Sequence, residues 1–294
     1  MIVIGSRGSQ LALWQARHIA ACLAELGVET RLEIIKTTGD KITDVPLAQV
    51  GGKGLFTKEI EEALLAGAID LAVHSLKDMP TALPEGLTLA AIPPREDPRD
   101  ALIGRPLAEL GPGGRVGTSS LRRAAQLYAL GRGFTIENLR GNVDTRLRKL
   151  DEGHYSAIVL AAAGLNRLGW GDRIRERLDP DVMCPAVGQG ALAIETRADR
   201  GPAHTLARKL NDAASETAVT AERALLATLE GGCQVPIGAH ARVEGDTIHL
   251  QAIVASPDGR RMIRDRATGA NPVALGRELA ERLLSAGARE ILAS

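Results

Sequence analysis

Aromatic side chains are almost missing from this chain. Its 294 residues hold two Trp, two Tyr and two Phe, 2% in all. Platforms that stack bases of single-stranded nucleic acid need exposed rings, so that class is excluded, and the core has to be aliphatic. Net charge is missing too: 36 Lys and Arg stand against 36 Asp and Glu. There is no global field to draw DNA or an anionic membrane, so any basic site must be local. No apolar run approaches the length of a membrane span. The start, Met1 to Arg7, enters a strand pattern without the long apolar centre of a signal peptide. Cysteine is scarce, with Cys22, Cys184 and Cys233 far apart and no CxxC pair. That pattern predicts a reduced, cytoplasmic protein with no structural metal and no disulfides.

What remains is 45% hydrophobic, enough for a sizeable core, in a length that suits two or three domains. Ile2-Val3-Ile4 reads as a strand and Gln10 to Leu26 as a helix facing inward through Leu13, Ala16, Ala20 and Leu23, closed by Gly27. Glu29 to Lys36 reads as a strand and Thr37 to Gly54 as a loop, mobile at Gly51-Gly52-Lys53-Gly54. A helix capped by Thr57 follows, then a buried strand ending at His74-Ser75-Leu76-Lys77-Asp78-Met79-Pro80. This β-α-β-α-β order predicts a mostly parallel sheet, whose ligands lie beyond the carboxyl ends of its strands. A Pro- and charge-rich crossing, Ile92 to Asp100, opens a second such pattern: strands at Val116, Phe134 to Leu139 and Ser156 to Ala162, with helices at Leu121 to Leu130, Val143 to Leu150 and Leu165 to Leu178. Ala191 to Glu195 reads as a strand returning to the first lobe. After Asn211 come a helix, three alternating segments and a last helix, Pro272 to Leu292, which together make a small α+β domain. The expected division is residues 1–93 with 191–210, then 96–187, then 213–294.

Several groups carry chemistry. Asp78 is a carboxylate at a buried strand's end, and on an extended segment it and Lys77 point to opposite faces. Ser119 and Ser120 precede Leu121-Arg122-Arg123 at a helix start, where two cations oppose the helix dipole and a bound anion would compensate them. Arg140 and Arg146 belong to a second such turn, Arg7 to a third, and Arg167 is read as starting a fourth helix. Singly each is a surface arginine; together they line a site for carboxylates or phosphates. Gly188-Gln189-Gly190-Ala191-Leu192-Ala193 fits a loose dinucleotide string but precedes a strand, so that reading fails on context. Cys233, in a Gly-Gly-Cys loop, is either a reactive thiol or a small buried side chain.

Long ordered strings then match a known family. Ser9 to Gln15, Val50 to Phe56, His74 to Pro80, Arg95 to Asp100, Gly117 to Arg123, Leu139 to Asn142, Pro185 to Gly190 and Glu230 to Pro236 resemble those of the porphobilinogen deaminases. Met79 and Asp144 stand where relatives often carry other residues. The resemblance implies an α/β fold of two periplasmic-binding-protein-like lobes with a third, small α+β domain. It implies a dipyrromethane cofactor in thioether linkage to Cys233, with Lys77, Ser119, Arg122, Arg123 and Arg146 around it. Arg7, Gln15, Lys53, Ser120, Arg140 and Arg167 would bind substrate, and Asp78 would be catalytic. The implied activity is a deaminating transfer: four porphobilinogens are condensed head to tail, releasing ammonia and a linear tetrapyrrole. No nucleic acid or membrane partner is implied, and nothing demands more than a monomer. One alternative is a non-enzymatic small-anion binder on the same two lobes, which leaves Cys233 and the third domain without a task. Another is a cysteine-nucleophile acyl transferase, which leaves Asp78 without one.

Overall fold

The computed structural model describes residues 1–41, 54–230 and 236–293. Two compact units emerge, one of Met1–Glu96 with Ala191–Glu216 and the other of Asp97–Gly190 with Thr217–Ser294.

The chain opens with β1 (Ile2–Ser6), α1 (Gln10–Glu25) and β2 (Thr30–Ile34). Ser9 caps α1, its hydroxyl accepting from the Ala12 N–H, and Gly27 ends it in the left-handed region. The face α1 buries is Gln15, Ala16, Ile19 and Leu23. Leu13 and Ala20 are only half-buried, so the inward stripe is turned from the one the apolar spacing suggested. The expected loop after Thr37 begins with a single helical turn, α2 (Thr38–Lys41). Most of the rest of that loop, with Gly51, Gly52 and Lys53, lies outside the described residues. Helix α3 (Lys58–Leu65) follows; Thr57 holds the cap position, but its side chain makes no capping hydrogen bond. β3 (Leu71–Ser75) and β4 (Leu87–Ala91) complete this stretch.

The second unit begins with β5 (Asp100–Gly104), β6 (Arg115–Gly117), α4 (Leu121–Ala129), β7 (Thr135–Glu137), α5 (Val143–Asp151), β8 (Ala157–Ala161), α6 (Ala162–Arg167) and β9 (Glu176–Arg177). Helix α6 starts directly on β8 and stops at Arg167, short of the expected Leu178, because Gly169 turns left-handed at once. Arg167 therefore ends a helix and does not start one. The chain then supplies β10 (Leu192–Arg197) and α7 (Pro202–Arg208) to the first unit. Last come α8 (Ala213–Thr228), β11 (Ile237–Glu244), β12 (Thr247–Ala255), β13 (Met262–Gly269), α9 (Pro272–Ser285) and α10 (Ala288–Leu292). The single final helix expected from the pattern is two, broken at Gly287 with φ 101°.

The first sheet has the order β2-β1-β3-β10-β4 and the second β7-β6-β8-β5-β9. In each, four strands run one way and the strand in fourth place is reversed: β10 is antiparallel to β3 and β4, and β5 to β8 and β9. The two lobes thus share one topology, as the repeated strand-helix grammar implied, although each sheet is mixed. The core is mainly aliphatic: Ile4, Ile19, Leu71 and Ile194 in the first lobe, Leu102, Val116 and Val159 in the second, where Phe134 is buried with them. The third part is the antiparallel β11-β12-β13 sheet, packed under Leu225, Leu279 and Leu283 of its helices. Within the second unit, Ala125 of α4 and Cys184 pack on Ile253 and Ala255 of β12.

Candidate active site

Both lobes present polar turns at the carboxyl ends of their parallel strands. In the first lobe, Ser6-Arg7-Gly8-Ser9 leaves β1, and a 3-10 turn, Leu76–Asp78, leaves β3. Leu76 and Met79 are buried and anchor that turn, and the Leu76 N–H donates to Ala191 O at 3.0 Å. With three residues per turn, the two positions between the anchors face out. Asp78 is exposed and Lys77 half-buried. The extended alternation expected for this pair does not apply, since the strand has already ended.

A pocket of about 480 Å³, open mouth included, lies here, lined among others by Arg7, Gln15, Phe56, His74, Ser75 and Asp78. The Arg7 guanidinium sits 4.1 Å from the centre of the Phe56 ring, a cation–π contact that orients it. Buried Gln15 donates from Nε2 to Ser75 Oγ at 2.9 Å. The Asp78 carboxylate has no hydrogen-bond or ion-pair partner among the described residues. It is free to meet a ligand.

Beneath this pocket lies a group that sequence reading passed over. His74 Nε2 is 3.0 Å from Glu195 Oε2, and both side chains are buried. The β3–β10 register sets Ala193 opposite His74 and Glu195 opposite Ala72, so the two side chains are diagonal neighbours on one face. Glu61 of α3 joins them. Burial pushes its carboxyl above the usual range, Thr57 beside it offsets part of that, and the charge of Glu195 adds to it. The signal was available: a glutamate at an inward position of the apolar run Leu192-Ala193-Ile194-Glu195-Thr196 needs a partner.

In the second lobe, Ser120 caps α4 and accepts from the Arg123 N–H at 3.4 Å, while Ser119 is exposed. Arg122 and Arg123 are buried and converge on Asp100. Arg122 Nη1 donates to Asp100 Oδ2 at 2.7 Å and to Cys184 O at 2.5 Å. Arg123 donates from Nε to Asp100 Oδ1 at 2.9 Å and from Nη1 to Val159 O at 3.0 Å. Gln189 Nε2 adds a bond to Asp100 Oδ1 at 3.0 Å. Burial alone would raise the Asp100 carboxyl, but the two guanidiniums reverse this and hold it well below the usual carboxylate range. Two cations share one anion, so the cluster keeps one net positive charge. Sequence reading singled out the arginines and missed their carboxylate, although paired cations at a helix start demand one.

Three more predicted arginines belong to the same lobe, Arg140 before α5, Arg146 within it and Arg167 at the end of α6. Arg140 has a buried Nη1 without a hydrogen-bond partner among the described residues. Arg146, half-buried, donates from Nε to Gly141 O at 2.7 Å, which ties it to the Arg140 turn. Arg167 is buried and donates from Nη2 to Gly190 O at 2.7 Å. Lys53 and Cys233 lie outside the described residues. The other two thiols are not nucleophiles in their surroundings: burial pushes Cys184 up to about 12, and burial with nearby Glu25 raises Cys22. Among the described residues, no helix is long and apolar enough to cross a membrane.

The comparisons extend these observations along the whole chain. Residues 2–205 match the family model described as porphobilinogen deaminase, dipyromethane cofactor binding domain, and residues 216–285 match porphobilinogen deaminase, C-terminal domain. The porphobilinogen deaminase of Syntrophobacter fumaroxidans is 54% identical, over 99% of this chain and 97% of that protein. The porphobilinogen deaminase of Trichlorobacter lovleyi is 55% identical over 98% and 95%. That of Geobacillus kaustophilus is 53% identical over 99% and 96%. Among solved structures, a periplasmic substrate-binding protein of an ABC transporter from Coxiella burnetii is similar at 13% identity and a TM-score of 0.44, over 71% of this chain and 91% of that one. The lobe topology given above rests on its own strand order. With both family domains matched in sequence and half the residues identical to full-length relatives, the chain belongs to the porphobilinogen deaminase family.

Proposed function

We propose that this enzyme is a transferase that condenses four porphobilinogens head to tail on a dipyrromethane primer, releasing ammonia and hydroxymethylbilane. Family membership supports the reaction, and one observation in the structure supports it most: the mismatch of charge in the second lobe. Among the described residues, Arg122 and Arg123 share a single carboxylate, and Arg140 keeps a buried guanidinium nitrogen unpaired. Buried cations in this state call for anions from outside the protein. Each porphobilinogen carries an acetate and a propionate, so a pyrrole chain supplies carboxylates in number. The neutral overall composition fits as well, because the basic groups are needed only locally.

Among the described residues, the paired cations of the second lobe suit the carboxylates of a dipyrromethane group. Cys233 would hold it through a thioether, and Lys77, Ser119, Arg122, Arg123 and Arg146 would hold its carboxylates. When bound, the group supplies a pyrrole end on which further units are added, and tethering makes each addition effectively unimolecular. Arg7, Gln15, Lys53, Ser120, Arg140 and Arg167 would hold the incoming porphobilinogen and the added units. Asp78 is the catalytic carboxylate. Loss of the amine from an aminomethyl pyrrole leaves a ring cation, and a fixed carboxylate hydrogen-bonded to the pyrrole N–H stabilises it. Asp78 suits this because its carboxylate is exposed, lines the pocket and is not spent on another group among the described residues. A cytoplasmic monomer without nucleic-acid or membrane partners agrees with the charge balance.

The test is direct. The purified enzyme given porphobilinogen should release one ammonia per unit consumed and yield the linear tetrapyrrole. Tight porphobilinogen binding with no ammonia released would favour the anion-binder reading instead.

A further inference from the structure

The buried pair His74–Glu195 has no task in the scheme above, and its histidine lines the pocket that carries Asp78. Three features separate it from an ordinary buried ion pair. His74 itself lines the pocket, along with Arg7 and Asp78. Its Nε2 is engaged by Glu195 at 3.0 Å, while its Nδ1 has no hydrogen-bond partner among the described residues. Glu195 is fully buried, and its second oxygen, Oε1, is also unpartnered among them. A carboxylate that grips one ring nitrogen fixes the tautomer and orientation of an imidazole and steadies its protonated form, leaving the other nitrogen to exchange protons.

The reaction needs such an exchange. The amine departs from a carbon, and a proton departs from another carbon, at each addition. We propose that His74, oriented by Glu195, is the group that lends and recovers that proton, a role that rests on the deaminase reading given above. In the first half, the C–N bond of porphobilinogen breaks and its electron pair leaves with nitrogen. The imidazolium gives its proton to that nitrogen, so ammonia departs and His74 becomes neutral. In the second half, the new C–C bond forms, and the proton displaced from the acceptor pyrrole's carbon returns to His74. The sum is one C–N and one C–H bond broken, one C–C bond formed and one N–H bond made, with the imidazole restored. Asp78 holds the cation between the two halves and need not change its own protonation.

Among the described residues, the charged groups around His74 are Glu195 from β10 and Glu61 from α3, and Arg7 and Asp78 line the same pocket. Glu195 is a positioning residue here, since it acts through His74.

The test is the pH profile of kcat for wild type, His74→Gln, Glu195→Gln and Glu61→Gln, each first checked by intact mass for its primer and by thermal melting for its fold. Wild type should lose rate as the pH rises, when the imidazolium is no longer available. In Glu195→Gln that falling limb should move to lower pH by about one unit. In His74→Gln the limb should vanish, with a loss of about 100-fold or more at its optimum. Should His74→Gln fail to fold, the displaced limb of Glu195→Gln, or a smaller displacement in Glu61→Gln, carries the test. Variants that lose rate evenly, with the wild-type limb in place, overturn the proposal and leave the pair structural. A wild type that releases no ammonia overturns the deaminase reading instead, so the two failures are distinct.

Discussion

Arg122 Nη1 donates to Asp100 Oδ2 at 2.7 Å in a site where the carboxylate is wholly buried and the guanidinium nearly so. Arg123 takes the other oxygen at 2.7 Å, so one acid at the start of β5 organises the first turn of α4. Replacing Asp100 by Asn should destabilise the second unit by about 3–5 kcal/mol, because two buried cations lose their counter-charge. Urea unfolding followed by circular dichroism measures this.

The same carboxylate sets a pH dependence. Its folded form holds a proton far less tightly than its unfolded form, which titrates near about 3.9. The stabilisation is therefore complete above that pH and drains away as the pH falls below it. Stability of the wild type should decline from about pH 4 downward, and Asp100→Asn should show a much flatter acid limb. Parallel acid limbs in the two proteins would remove Asp100 from this role.

Asp78→Asn should separate fold from chemistry. The side chain is exposed and makes no hydrogen bond or ion pair among the described residues, so the melting free energy should stay within about 0.5 kcal/mol. Turnover should drop by at least about 100-fold, because the neutral amide cannot offset the cation as a carboxylate does. Near-normal ammonia release would take Asp78 out of the mechanism.

Much of the fold was legible because the aliphatic strands alternate cleanly with Gly- and Ser-marked turns, and the loop-to-helix positions of Arg7, Ser120 and Arg140 followed from that pattern. What was not legible has a common cause. Asp100 and Glu195 are acids inside apolar strands, and their partners come from residues 22 to 121 positions away. No local spacing joins such residues; only the sheet order does. The return of β10 to the first lobe was legible, but the antiparallel sense of β10 and β5 was not, since a parallel β-α-β grammar does not give the direction of strands outside its repeat. Arg167 was misplaced because β8 runs straight into α6 without a turn signal between them.

Arg140→Leu bears on the anion reading. Arg140 makes no hydrogen bond among the described residues, and its Nη1 is buried, so leucine should not harm the fold. Pyrrole assembly should weaken by about 2–5 kcal/mol, the cost of leaving a desolvated carboxylate without its partner. Native electrophoresis or mass spectrometry of the enzyme during turnover should show intermediates stalled at an early length. A wild-type distribution would place Arg140 outside the substrate's reach.

In the proposed reaction Cys233 carries the primer, and the intact mass of the purified protein tests this most directly. The wild type should be heavier than its sequence by two pyrrole units, and Cys233→Ser should show the bare sequence mass and no turnover. An active wild type at the bare mass would contradict it.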